Sequence, residues 1–249
     1  MTSSLANSLL WLLASLGLFL VVQRWLHQEI QLLFYILTRR LNLALTLFAL
    51  LFLPGVLLHE ASHFVVAKLL QVRTHRFSLI PQVTVKARLR LGYVETAQTD
   101  VFRDTLIGAA PLVVGGAVVA AMGINQLGIA PLFDLAAASK WEQVGSALAA
   151  LPDLPDFWLW FYLAFTISSM MLPSPSDRRA WLPVVLVVGL LAGLALLAGA
   201  GEWMTMNLAP GLESVVHSLA TVFGIGLVLH LALGLPVAFL RIAMTRMVG

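Results

Sequence analysis

The chain contains no cysteine. That excludes a disulfide framework, a thiolate nucleophile and thiolate metal ligands, so any metal must be held by His, Asp, Glu or water. Charge is scarce too: 11% of the 249 residues are charged and 60% are hydrophobic, whereas a soluble domain carries about 25% charged residues. A net charge of +3, spread along the chain, gives no basic patch for a nucleic-acid partner. Basic residues lack from the first seven positions and no small-residue cleavage site follows, so Leu9–Val22 reads as part of a retained span rather than a signal peptide. No internal repeat or low-complexity tract is visible, and little length remains for a soluble domain. One membrane domain over residues 1–249 is expected.

What the sequence does have is long apolar runs. A spanning helix needs about 20 mostly apolar residues, and about six stretches qualify. They are Leu5–Val22, Leu43–Leu70 (with Pro54 and Gly55 inside), Thr105–Ile124, Phe157–Leu172, Trp181–Ala200 and Val215–Leu240. The predicted fold is an all-α, polytopic helical bundle with a small cytoplasmic strand or β-hairpin loop. Loop charge gives orientation. From Lys68 to Asp104 seven basic residues face three acidic ones, while residues 125–156 hold four acidic residues and only Lys140. Basic loops prefer the cytoplasm, so the 71–104 loop, the 174–180 loop and both termini are expected inside. Arg24, Arg39 and Arg40 fall on the opposite side of that scheme, and residues 23–40 are read as an interfacial amphipathic helix. Within the basic loop, Val83 to Tyr93 alternates apolar and polar residues, which is the period of a half-buried strand. Gly92 marks a bulge or close backbone approach. Trp158, Trp160, Trp181 and Trp203 fit interfacial belts, and Gly108, Gly115 and Gly116 fit close helix packing.

The residues that carry chemistry are His59-Glu60-Ala61-Ser62-His63. On a helix, positions i and i+4 share a face, so both imidazoles can reach one ion. Glu60, beside the first ligand, can take a proton from zinc-bound water. A catalytic zinc uses three protein ligands and keeps a fourth position for water, whose pKa it lowers to about 7. Leu47–Leu58 carries no ionisable side chain, and an ionisable residue near the bilayer centre costs about 2.5–3.5 kcal/mol. Two histidines and a glutamate at this depth therefore call for a metal or a polar cavity. The third ligand is sought at Ser168-Ser169-Met170-Met171-Leu172-Pro173-Ser174-Pro175-Ser176-Asp177. Two prolines break the helix there, and broken backbone at membrane depth lines a cavity or is buried in protein. Asp177 can turn inward to the metal, or remain solvated against Arg178 or Arg179. His217 and His230 are read as helix-to-helix hydrogen bonds or interfacial groups, and His75 as a solvated side chain.

These residues resemble the site-2 protease family of intramembrane zinc metalloproteases. The resemblance rests on the HExxH motif at His59–His63, on His63-Phe64-Val65-Val66-Ala67-Lys68 with Val72-Arg73 and Phe77-Ser78, on Gly108-Ala109-Ala110-Pro111, and on the proline-rich segment ending at Asp177. It covers about residues 50–180, a three-helix catalytic core within about 43–180, flanked by helices over about 5–40 and 181–249. It implies one catalytic zinc on His59, His63 and Asp177, Glu60 as catalytic base, and hydrolysis of peptide bonds in membrane-spanning protein substrates. It also implies substrate presented as an added strand, which would suit Val83–Tyr93 through edge pairing. A prokaryotic inner or plasma membrane is the expected location, with the active site toward the cytoplasm. Ser169 stands eight residues before Asp177 where the family carries Asn, and it is expected to donate a hydrogen bond in its place. Arg178 stands where Gly is common. Two other readings compete. A CAAX-processing type of membrane metalloprotease would take a Glu, Glu95 or Glu142, as third ligand. A zinc transporter or non-proteolytic zinc-binding membrane protein would use the same histidines without cleavage.

Overall fold

The computed structural model describes residues 2–78, 82–83, 89–90, 92–129, 131–132, 135 and 138–248. Helices dominate, as the all-α reading expects. In chain order they are α1 (Thr2–Thr38), α2 (Leu41–Leu51), α3 (Leu53–Leu69), α4 (Val101–Asn125), α5 (Trp141–Ala150), α6 (Phe157–Met170), α7 (Trp181–Leu197), α8 (Gly201–Asn207) and α9 (Ala209–Val248). Between α3 and α4 lie β1 (Thr74–Ser78), β2 (Gln82–Val83), β3 (Leu89–Arg90) and β4 (Tyr93–Thr96).

Three helices are long and apolar enough to cross a membrane, over Leu5–Thr38, Val101–Asn125 and Ala209–Met247, and the bent pair α2–α3 makes a fourth if it counts as one span. The other two expected spans are helices of 14 and 17 residues, α6 and α7. At 1.5 Å per residue they reach about 21 and about 26 Å, short of a hydrocarbon core of about 30 Å. No residue of α7 is buried, and its Leu182, Leu186, Leu190 and Leu194 are exposed. An apolar exterior of this kind is what lipid contact requires, and the chain is membrane-embedded in that sense.

The expected single span Leu43–Leu70 is broken. Helix α2 ends at Phe52, and α3 departs at 65°. Pro54, in the first turn of α3, lacks the N–H that would continue the ladder but suits a helix start. The bend lays Gly55 against the Thr166 carbonyl of α6, where any Cβ would collide with backbone.

Residues 23–38 are not a separate interfacial helix. They continue α1, and α1 lies along α9 over most of its length. Phe19 packs on Gly226, Trp25 on Gly234, and Arg241 Nε donates to Glu29 Oε2 at 2.7 Å. Numbers rise together on both helices, so the two run parallel. The chain termini therefore sit at opposite ends of this pair, where loop charge had placed both on one side. Arg39, Arg40, Arg241 and Arg246 lie toward the same end of it, so the basic residues after α1 and the basic C-terminus share a side. Two polar residues that interrupt the apolar run of α1 find partners on other helices: Glu29 pairs with Arg241 of α9, and one N–H of Gln23 bonds a carbonyl of α6 described below.

The basic loop carries two small antiparallel pairs. β1 pairs with β4, Phe77 opposite Val94 and Ser78 opposite Tyr93. β2 pairs with β3, Gln82 opposite Arg90 and Val83 opposite Leu89. The alternation over Val83–Tyr93 thus belongs to a chain that reverses rather than to one strand; residues 84–88 and 91 of that stretch lie outside the described residues. The reversal carries the chain back to Gly92 and β4, beside α3.

Candidate metal centre

Helix α3 places His59 and His63 one turn apart, and their Nε2 atoms are 3.1 Å from each other. The other ring nitrogens face main-chain carbonyls. His59 Nδ1 is 2.6 Å from Met170 O, and His63 Nδ1 is 2.8 Å from Ile107 O. A carbonyl only accepts, so each Nδ1 carries the proton and each Nε2 is turned to the partner histidine. Backbone carbonyls of α6 and α4 thereby fix both tautomers, the supporting role such second partners play around metal-binding histidines.

Asp177 completes the group. Its Oδ2 lies 3.7 Å from His59 Nε2 and its Oδ1 3.6 Å from His63 Nε2. The segment between α6 and α7 is wound tightly here: Ser174 N–H donates to Asp177 Oδ2 at 2.7 Å, and Asp177 N–H to Ser174 O at 3.1 Å. The prolines that stop α6 let the chain make this turn. Burial works against the charged carboxylate, but the two imidazoles and the Ser174 N–H favour it more, holding the Asp177 carboxyl well below the usual carboxylate range. Among the described residues, His59, His63 and Asp177 form the group able to hold a metal. Three electron-rich atoms this close need a proton or a cation among them. Metal–ligand bonds of about 2.0–2.2 Å in tetrahedral geometry separate ligand atoms by about 3.3–3.6 Å. The two Nε2 atoms are 3.1 Å apart, and the carboxylate approaches each of them to 3.6–3.7 Å through a different oxygen, so the group is close to that spacing and could hold a metal.

Helix α4 clamps the Asp177 segment from outside. Arg179 forms a two-pronged bond to Asp104, Nε to Oδ2 at 2.8 Å and Nη2 to Oδ1 at 2.9 Å, and Thr105 Oγ1 donates to Ala180 O at 3.2 Å. The Arg179 side chain thus points to α4 and leaves Asp177 to the histidines. Gly108 lies directly against the Asp177 carbonyl, with no room for a Cβ, and Gly115 sits against Met171 in the same way. The small-residue run at 108–116 marks close packing, as its sequence implies, but the partner at Gly108 is the backbone of Asp177, the third member of the candidate metal group. Gly108→Ala is expected to push Asp177 away from the histidines and weaken metal binding by about 10- to 100-fold, the usual cost of disturbing a supporting residue. Competition with a chelator of known affinity measures it; unchanged affinity would mean that the segment tolerates the shift.

Glu60 is buried on α3 and lines the same cavity as His59, His63 and Asp177, a cleft of about 740 Å³. Its wall includes Gln23 of α1, Leu112 of α4, Ser169 and Met170 of α6, Tyr93 and Val94 of β4, and Trp181 of α7. Gly92 reaches Glu60 closely: a Cβ there would lie 3.0 Å from Glu60 Cγ and 3.2 Å from Oε1. This is the close backbone approach that a lone glycine beside a strand implies. A second hollow of about 240 Å³ adjoins His63 and Asp177 on the side of Glu95, Asp104 and Arg179.

All four expected site residues, His59, Glu60, His63 and Asp177, come together around the cleft. The alternative third ligands do not join them. Glu95 lies on β4 and lines only the smaller hollow, and Glu142 is on α5, away from both. The carbonyls of Met170 and Ile107, and the amide of Gln23, were not legible. Main-chain carbonyls leave no mark in side-chain identity, and Gln23 reads as the polar end of a span. His230 makes the helix-to-helix bond expected of it, to Ser169, while His217 and His75 are exposed. Compared with known proteins, the chain matches no family model, no curated sequence and no solved structure.

Proposed function

We propose that this chain is an intramembrane zinc metalloprotease of the site-2 type. The observation that carries the reading is the convergence of His59, His63 and Asp177 beside a buried Glu60 in a cleft walled by membrane-length helices. His59, His63 and Asp177 would hold the ion; zinc, when bound there, supplies Lewis acidity that lowers the pKa of water and polarises a carbonyl. Two imidazoles and a carboxylate with room for water are a donor set known for catalytic zinc. Glu60 takes the proton of the attacking water as its oxygen bonds to the scissile carbonyl carbon. The same carboxyl then returns that proton to the amide nitrogen as the C–N bond breaks, leaving a carboxylic acid and an amine, between which the acid proton passes to give carboxylate and ammonium. Met170 and Ile107 keep the histidines in register throughout.

A substrate helix hides its carbonyls in hydrogen bonds, so the cleaved segment must be extended. The position of β4 in the cleft wall, through Tyr93 and Val94, favours an extended segment laid alongside that strand. Since β4 belongs to the basic loop, the active site would face the cytoplasm. Purified protein is expected to contain one zinc per chain and to cleave single-span substrates in proteoliposomes. A metal-free preparation that zinc does not reconstitute, or a zinc-loaded one that cleaves no member of a broad substrate panel, would sink this reading.

A further inference from the structure

Resting on the protease reading, we propose that the Gln23 side chain is the amide that hydrogen-bonds the substrate backbone next to the scissile bond. Ser169, expected from sequence to donate a hydrogen bond where the family carries Asn, has its one proton committed. His230 Nδ1 lies 2.7 Å from Gly226 O, so Nδ1 carries the ring proton. The ring is fully buried against Phe19 and Phe165, with no carboxylate partner among the described residues, and an unpaired charge there would be costly. Its Nε2 is therefore an acceptor, and Ser169 Oγ donates to it at 2.7 Å. The Ser174 and Ser176 hydroxyls are 2.7 Å apart, so one of their two protons is engaged in the bond between them.

Gln23 is placed differently. Its side chain is 8% exposed, and Nε2 donates one proton to Ser169 O at 2.5 Å. That carbonyl is one peptide before Met170, whose own carbonyl holds His59. The amide is thus in register with a metal ligand. A glutamine has a second N–H and a carbonyl oxygen. Among the described residues neither makes a hydrogen bond, and the side chain lines the cleft that contains the metal group. Buried polar groups in folded proteins nearly always find partners. An extended peptide offers an N–H and a C=O together, the complement of a primary amide. Helix α1 therefore supplies a substrate contact from outside the three-helix core.

The test uses full-length protein in proteoliposomes, with a synthetic peptide substrate and its analogue in which the amide beside the scissile bond is an ester. Wild type, Gln23→Leu and Gln23→Glu are compared for kcat, KM, zinc content and Tm. Gln23→Glu keeps shape and acceptor but loses both N–H donors, and it serves if Gln23→Leu does not fold. The expected result is a loss of about 10-fold or more in kcat/KM in either variant, consistent with one or two hydrogen bonds, with zinc content unchanged. Wild type should also prefer the amide over the ester, and Gln23→Leu should lose that preference. A residue that only braced Ser169 would alter Tm and leave the preference intact, which would overturn the assignment. So would a kcat/KM within twofold of wild type in Gln23→Leu. Zinc-loaded wild type that cleaves neither compound would overturn the protease reading itself, and this inference with it.

Discussion

Glu60→Gln is expected to retain its metal and lose peptide cleavage by about 100- to 10,000-fold, the range that a positioned general base contributes. Glutamine has the shape of glutamate, so the contact with Gly92 survives. The metal survives because Glu60 is outside the ligand group. What goes is the carboxylate proposed to accept a proton from water. Zinc analysis and single-turnover cleavage of the same preparation measure both halves. Cleavage at the wild-type rate would remove Glu60 from the mechanism. Zinc flux across sealed vesicles, in the absence of cleavage by either form, would point to a transporter built on the same ligands.

The second large effect concerns Asp177. Asp177→Ala leaves two imidazoles and no carboxylate, and metal affinity should fall by more than about 100-fold, beyond the cost of losing a supporting residue. The Ser174 N–H loses its acceptor as well, so the turn before α7 should loosen. Glu95→Ala and Glu142→Ala are the controls: neither carboxylate joins the group, and both variants should bind metal as wild type does. Full retention by Asp177→Ala together with loss in Glu95→Ala would return the third-ligand role to a glutamate, as in a CAAX-type enzyme. Circular dichroism distinguishes loss of a ligand from loss of the fold.

The part of the site that could be read from sequence is the part that local geometry dictates. His59 and His63 share a face because a helix turns every 3.6 residues, and no distant contact is needed to say so. Asp177 was a candidate because Pro173 and Pro175 end a helix wherever they stand. Choosing between an inward ligand and a solvated partner of Arg178 or Arg179 required the tertiary clamp. Arg179 is occupied by Asp104, which lies 75 residues earlier in the chain. The same limit applies to Ser169: its hydroxyl looked available until α9 brought His230 within 2.7 Å. Helix α1 was cut short at Val22 because Gln23, Arg24, His27, Gln28 and Glu29 interrupt the apolar run. Glu29 is stable there only because Arg241 covers it, and that pairing joins opposite ends of the sequence. Hydropathy also has no view of a 65° bend at Phe52, since the residues flanking it, from Leu47 to Leu58, are without an ionisable side chain.

The parallel course of α1 and α9 also constrains arithmetic. A chain whose first and last crossings point the same way has traversed the bilayer an odd number of times. About six apolar segments were counted on hydropathy, an even number, so with α1 and α9 both crossing at least one of the others enters the membrane without leaving on the far side. The bent α2–α3 pair and the short α6 and α7 are the segments that are not single helices of membrane-spanning length, and α3 and α6 both contribute to the candidate metal group. The candidate site then sits where these shorter segments meet, with the long helices α1, α4 and α9 among the walls of its cleft.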